Sequence, residues 1–149
     1  MEPLSLIFSA IVAGATAALK PTAEQAVKDA YAGLKALIKR KWNRVEMESL
    51  ERDPADKARQ QLVKSDLEKA DDLADGELLK QAQQVLAAVK EHDPAAAESA
   101  GITIEDLESG ANVNIENLVA QGAIAARRIK ASKDINIKGA RAGKNPTRR

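Results

Sequence analysis

The hydrophobic and polar pattern of the chain begins with a stretch, residues 3–19, that carries no charged side chain. It consists mostly of Leu, Ile, Val, Ala and other small residues, which predicts a hydrophobic helix. A membrane-spanning helix needs about 20 predominantly apolar residues, so this stretch lies at the lower limit. A secretory signal would begin with basic residues, whereas the chain begins Met1-Glu2-Pro3, so we predict that the stretch is retained. It is either a helix buried in a soluble bundle or a helix that enters a membrane.

A second helix is predicted to follow Pro21, which ends the first. Thr22 and Gln25 match a capping box that would start it. Its last turns are rich in Lys and Arg, which suits the helix dipole and also anionic lipid headgroups, so this end is either simply solvated or bound to lipid. An apolar stripe at three- and four-residue spacing contains Val27, Ala30, Tyr31, Leu34, Leu37, Ile38 and Trp42.

Three further helix starts are marked by aspartates. Asp53-Pro54 and Asp93-Pro94 each place an N-cap residue before a first-turn proline, and Asp75 precedes another apolar periodic segment. Short connections predict that neighbouring helices pack antiparallel, giving a bundle over residues 1–99 with no sheet between residues 22 and 90. His92 lies at a helix boundary, where we expect it to be solvated or capping.

The last third of the chain shows an internal repeat of eleven residues. The four copies are GITIEDLESGA, NVNIENLVAQG, AIAARRIKASK and DINIKGARAGK, covering residues 101–144. Eleven-residue repeats also occur in helices with a right-handed supercoil. However, the second and fourth positions are mostly β-branched, and residues two apart share a face only in a strand. This pattern predicts β-strands, and therefore an α+β fold with a helical bundle followed by a short two-coil β-solenoid.

Charge predicts which repeats stack. An offset of eleven residues sets like charges together, whereas an offset of twenty-two sets Glu116 against Lys138 and the other acidic side chains against basic ones. Two repeats then form one coil, whose open edges favour addition of another copy of the chain. The alternative is a small closed β appendage on the bundle. The predicted self-assembly residues are Ile102, Ile104, Val113, Ile115, Glu116, Ile124, Ile129, Ile135, Ile137 and Lys138.

Composition limits the chemistry of the chain. It has no cysteine and one histidine, so a thiol nucleophile, a thiolate metal site and a two-histidine metal site are excluded. No nucleotide-binding glycine loop or nucleophile–base pair is present, so we predict no enzyme, no catalytic or metal-binding residues and no cofactor. Residues 101–149 are basic, but no aromatic residue follows Trp42 to stack on bases, so we predict no nucleic-acid partner.

Two segments carry a resemblance to known proteins. The opening MEPLSLI and the segment QAVKDAYAGLKAL, residues 25–37, are similar to N-terminal domains of bacterial defence-type proteins. With the terminal repeat, the chain resembles prokaryotic cell-death effectors in which a helical Bell domain precedes an amyloid signalling motif. It is functionally similar to fungal HeLo-type pore-forming proteins that end in a two-coil prion segment.

The resemblance implies a cytoplasmic protein that moves to the inner face of the cell membrane when its C-terminal segment is templated. Its partners would be further copies of itself, as an oligomer or fibre, a sensor with a matching β-repeat segment, and an anionic membrane. The alternative is a soluble oligomerisation scaffold without membrane activity. We predict a repeat segment at 101–144, a basic disordered tail at 145–149, and membrane-interacting residues Leu4, Leu6, Ile7, Phe8, Ile11, Val12, Lys39, Arg40 and Lys41.

Overall fold

A computed structural model describes residues 2–43, 45–70 and 73–120. All regular secondary structure within these ranges is helical, and residues 115–120 form a further helical segment after the last bounded helix. The bounded helices are α1 (Pro3–Ala18), α2 (Gln25–Lys41), α3 (Met47–Arg52), α4 (Lys57–Glu68), α5 (Gly76–His92), α6 (Pro94–Ser99) and α7 (Ile104–Ala111).

α1 is the central helix of the fold. Pro3 occupies its first turn, where the missing N–H costs nothing. The other six helices pack around it, so that its middle is buried on every side. A helix that is apolar around its whole circumference must be buried, whereas a surface helix needs only one apolar face. The charge-free composition of residues 3–19 is therefore explained by a central position in a helical bundle.

α2 and α5 are amphipathic helices that cover α1. Gly33 lies beside Gln81, and Arg40 near the end of α2 reaches Glu77 near the start of α5, so these two helices run antiparallel. Gly14 of α1 lies beside Val85 of α5, and Lys20, just beyond α1, pairs with Asp93 at the end of α5, so the C-terminal ends of α1 and α5 lie at the same end of the bundle. Neighbours in this bundle are thus not all antiparallel, because α1 and α5 are separated by three intervening helices.

Two of the predicted helix starts are confirmed. The Asp75 carboxylate accepts a hydrogen bond from the Leu78 backbone N–H at 3.0 Å and caps α5. Asp93 caps α6 through the Ala96 N–H at 3.2 Å, with Pro94 in the first turn.

Two others are wrong. Asp53 is the C-cap of α3, a helix that the sequence did not predict, and Asp56 caps α4 instead. α2 starts after Glu24, which makes no side-chain capping bond, and the Gln25 amide donates to the Asp29 carboxylate at 2.7 Å rather than closing a capping box.

The predicted β-solenoid is wrong for the part of the repeat that the structure describes. The first repeat contains α7, and the second contains the helical segment 115–120. α7 packs on α5, α6 and α1, so the core continues without a break past residue 100. Residues 121–149, which hold the last two repeats, lie outside the described residues.

In its first two copies, the repeat encodes helix starts rather than strands. Its third position is an N-cap: Thr103 forms a complete capping box with Asp106, and the Asn114 side chain accepts from the Asn117 N–H at 3.1 Å. Ile102 and Leu107, the second and seventh positions of the first copy, are the N′ and N4 residues of α7, the two positions that a hydrophobic staple uses, and both are buried. Two β-branched residues two apart therefore flank a cap and do not share a strand face.

Gly101 provides the turn that joins α6 to this repeat. Its φ of 90° lies in the left-handed region that glycine adopts without steric cost. The Gly101 N–H donates to the Glu98 carbonyl at 3.0 Å and the Ile102 N–H to the Ala97 carbonyl at 2.9 Å. This pair of bonds is a Schellman motif, and it places Ile102 against the core.

Candidate functional site

The predicted membrane-interacting residues of α1 are mostly inaccessible in this fold. Leu6, Ile7, Ile11 and Val12 have no exposed side-chain surface. Leu4 and Phe8 are half-buried against the core. The hydrophobic helix is thus enclosed by the other helices, and its contact with a lipid surface would require them to separate.

α1 is closely packed at Gly14. A Cβ atom at this position would lie 2.7 Å from Val85 Cγ1 and 2.8 Å from Tyr31 Cδ1. No side chain fits there without movement of α2 or α5, because both distances are shorter than real Cβ contacts. Gly14 therefore lets α1, α2 and α5 approach one another at a single point.

The basic end of α2, which we define as Lys39, Arg40 and Lys41, is held by carboxylates of two other helices. Lys39 pairs with Glu48 of α3, and the Arg40 guanidinium lies 3.0 Å from the Glu77 carboxylate of α5. Lys41 pairs at 3.1 Å with Asp75, the N-cap of α5. Each of the three predicted lipid-binding cations is therefore paired within the protein.

These pairs change the titration of two of the acids. A hydrogen bond from Lys39 holds the pKa of the Glu48 carboxyl below its ordinary value. The backbone N–H of Leu78, followed by Lys41, lowers the pKa of Asp75. Both carboxylates are stabilised in their charged form by groups that the folded state places beside them.

A second polar cluster ties α2 to α3 close to Gly14. The Tyr31 hydroxyl donates to one oxygen of Glu51 at 2.6 Å, and Lys35 donates to the other at 2.9 Å. Burial, reinforced by the hydrogen bond to Glu51, raises the pKa of Tyr31 well above its ordinary value. The sequence pattern indicates only that Tyr31 belongs to the apolar stripe of α2; its hydrogen bond reaches α3, a helix for which the pattern gives no clear signal.

Two further contacts close the opposite end of the bundle. The Lys20 ammonium, just beyond α1, lies 3.1 Å from the Asp93 carboxylate at the start of α6. The buried amide of Gln60 on α4 donates to the Pro54 carbonyl at 2.7 Å and to the Ala100 carbonyl at 2.9 Å. The Lys20–Asp93 pair thus links the C-terminal end of α1 to α6, whereas Gln60 links α4 to the residue that follows α6.

The predicted self-assembly residues do not form a common surface in the described part of the chain. Ile102 and Ile115 are buried in the core, Val113 is half-buried, and Glu116 is exposed. Ile104, at the start of α7, is 44% exposed. Ile124, Ile129, Ile135, Ile137 and Lys138 lie outside the described residues.

The described residues contain neither a candidate metal site nor a helix that could cross a membrane. No group of three or more His, Cys, Asp or Glu side chains in ranges 2–43, 45–70 and 73–120 is arranged to hold a metal ion. In the same ranges, no helix combines the length and the apolar character needed to cross a membrane.

The fold and these contacts define a helical bundle that encloses one charge-free helix and pairs the basic end of another. The sequence pattern of the family described as the Het-E N-terminal domain matches residues 1–144, and the chain belongs to this family. It is a family related to fungal heterokaryon incompatibility, of the cell-death effector type. This finding supports the broad class that the sequence suggested, but not a bacterial Bell domain or an amyloid segment. No curated protein and no solved structure matches the chain.

Proposed function

We propose that this chain is a non-enzymatic cell-death effector domain whose described fold is a resting state that encloses α1. In the active state α1 separates from α2 and α5 and enters the membrane surface. Clustering of several chains favours this state, because it raises the local concentration of released helices. The protein would act from the cytoplasm at the inner face of the cell membrane.

The observation that supports this proposal most directly is the composition and burial of α1. Residues 3–19 contain no charge, and the middle of α1 is buried on all sides. A helix with this composition is compatible with two environments, the centre of a bundle and the acyl region of a lipid leaflet. Among the described helices α1 is the one whose apolar residues cover the whole circumference.

The length of α1 favours shallow entry. Its 16 residues extend about 24 Å at 1.5 Å per residue, against about 30 Å for the hydrocarbon core of a bilayer. A released α1 lying in one leaflet would perturb lipid packing without spanning it. The basic end of α2, next in the chain, would bind the anionic headgroups.

The test uses the absence of cysteine, which allows specific cross-links. Lys20→Cys with Asp93→Cys, joined by a short bismaleimide, holds the end of α1 to the start of α6 where the native atoms lie 3.1 Å apart. We expect dye release from vesicles of phosphatidylserine and phosphatidylcholine to rise with protein concentration and to be lost in the cross-linked variant.

The matched control is Ser49→Cys with Arg59→Cys. This pair joins α3 to α4, where the native side chains also lie 3.1 Å apart, and does not hold α1. The control should release dye as the uncross-linked protein does. Equal loss in both cross-linked variants would show that α1 release is not the required step. No dye release by the wild-type chain, even when it is clustered by an inducible fusion partner, would favour a scaffold without membrane activity.

A further inference from the structure

The end of α2 lies between two acidic helix termini. Glu48 belongs to the first turn of α3, and Asp75 with Glu77 to the start of α5. We name these three carboxylates the acidic collar. The three cations of the basic end are consecutive residues of a helix, so they point about 100° apart around the axis and reach carboxylates on different sides.

We infer that the acidic collar competes with anionic lipid headgroups for the basic end of α2, so that docking of this end on a membrane loosens α2 from α3 and α5 in the same event. The inference rests on the proposed function, and it identifies the contacts that keep that function inactive. A phosphate group and a carboxylate accept the same N–H donors of Lys39 and Arg40, so a cation held by one is withdrawn from the other.

Two of the three pairs are exposed enough for such an exchange, whereas the Lys41–Asp75 pair is more buried. Arg40 and Glu77 are 70% and 69% exposed, and Lys39 and Glu48 are each about half-exposed. Exposed ion pairs contribute little net stability, so replacing a carboxylate with a lipid phosphate carries a small cost. The exchange would loosen the part of α2 that covers the start of α5.

The order of elements connects this exchange to α1. α2 packs on both α1 and α5, and the Tyr31 ring lies against Gly14 of α1. Loosening of α2 from the acidic collar would therefore weaken the close packing around α1 at Gly14. Docking of the basic end on the membrane and release of α1 would then be coupled through α2.

The experiment compares two double variants with the same change in net charge. Glu48→Gln with Glu77→Gln removes two carboxylates of the collar. Glu105→Gln with Glu108→Gln removes two exposed carboxylates of α7, a helix that packs on α5, α6 and α1. Binding to vesicles of phosphatidylserine and phosphatidylcholine is measured by the fluorescence of Trp42, the single tryptophan of the chain, which is the C-cap residue of α2.

We expect the collar variant to bind at a lower lipid concentration than wild type, by up to about five-fold for each pair removed. The α7 variant should change binding less than two-fold, roughly the effect of net charge alone. Lys39→Gln with Arg40→Gln should abolish binding, and pure phosphatidylcholine vesicles should bind none of the proteins. Circular dichroism confirms that each variant is folded.

Equal tightening in the two carboxylate variants, or none in the collar variant, would overturn the inference. The two proposals fail separately. Wild-type dye release with unchanged binding of the collar variant would leave the proposed function intact and refute the collar. Tighter binding of the collar variant with no dye release would support the collar and refute membrane action. Absence of binding by all variants would refute both.

Discussion

α1 and α2 contribute to the same core in opposite ways. α1 has no charged residue and is buried around its circumference, so its interactions are almost entirely van der Waals contacts. α2 buries four residues on one face, and its Lys and Arg side chains near the C-terminal end form ion pairs with α3 and α5. Substitutions that disturb packing in α1 should therefore lower the free energy of unfolding strongly, whereas single substitutions of polar residues in α2 should lower it only slightly. The following variants test this difference.

The largest effect is expected from a charge inside α1. Ile11→Lys places an ammonium group at a position with no exposed surface and no acidic neighbour on its own helix. We expect a loss of about 4 kcal/mol or more in the free energy of unfolding, because an unpaired buried charge is among the costliest substitutions. Urea denaturation measures it. Ala36→Lys on the exposed face of α2 is the control and should change stability by less than about 0.5 kcal/mol.

A smaller effect is expected when one glycine of α1 or of α2 is replaced by alanine. Gly14→Ala gains helix propensity but forces Val85 and the Tyr31 ring apart, and we expect a net loss of about 1–3 kcal/mol. Gly33→Ala in α2 meets only the flexible end of Gln81, which can move. Its stability should stay within about 1 kcal/mol of wild type, since helix propensity offsets the displaced amide. Similar melting temperatures for the two variants would contradict the tight packing of α1.

Tyr31 links the two helices, and its substitution should cost about 1 kcal/mol. Tyr31→Phe keeps the ring against Gly14 but removes the hydrogen bond to Glu51, which retains Lys35 as a partner. Thermal unfolding at neutral pH measures the loss. A cost near zero would show that the Tyr31–Glu51 bond contributes little beside the packing of the ring.

The Tyr31 hydroxyl also makes the stability of the protein depend on pH. Folding raises the pKa of Tyr31, so above about pH 10 the unfolded chain releases a proton that the folded chain retains. Stability should therefore fall as the pH rises above this value, and Tyr31→Phe should remove that fall. The chain has one tyrosine, so its tyrosinate absorbance follows the ionisation directly. Parallel alkaline stability curves for wild type and variant would contradict the prediction.

In the acidic range the stability should fall as the pH is lowered, and the change should be smaller than at alkaline pH. The pKa values of Glu48 and Asp75 are lowered in the folded state, so the stability that they contribute is present above about pH 4 and is lost as the pH falls through their folded values. Glu48→Gln with Asp75→Asn should flatten the stability curve in this range. Asn still caps α5, which separates loss of charge from loss of the cap.

The smallest effect is expected at the most exposed ion pair. Arg40→Gln breaks the contact with Glu77, and we expect a loss of roughly 0.2–1 kcal/mol, because both side chains are about 70% exposed. Chemical denaturation at low and high salt checks this, since salt should reduce the difference between variant and wild type. A loss comparable to that of Gly14→Ala would show that the polar contacts of α2 hold the bundle as strongly as the packing of α1.

The eleven-residue repeat is a real pattern, but over residues 101–120 it specifies helices and not the predicted strands. The columns at the second, fourth and seventh positions exist, and over residues 101–120 they mark N′, N1 and N4 of two successive helix starts. The missed signal was the third position, where Thr103 and Asn114 are strong N-cap residues. A cap followed by a polar N3 residue is a local helix signal, and it should have outweighed β propensity.

The sequence by itself determined features that depend on neighbours along the chain. These were the hydrophobic helix before Pro21, the apolar stripe of α2, and the starts of α5 and α6 at Asp75 and Asp93, since periodicity and capping bonds act within a few residues. Only the tertiary structure decided that α1 lies at the centre, that Gly14 receives Tyr31, and that the basic end of α2 is paired with Glu48, Asp75 and Glu77. Contacts of that kind join residues far apart in the chain, and no local spacing specifies which side chains the fold brings together.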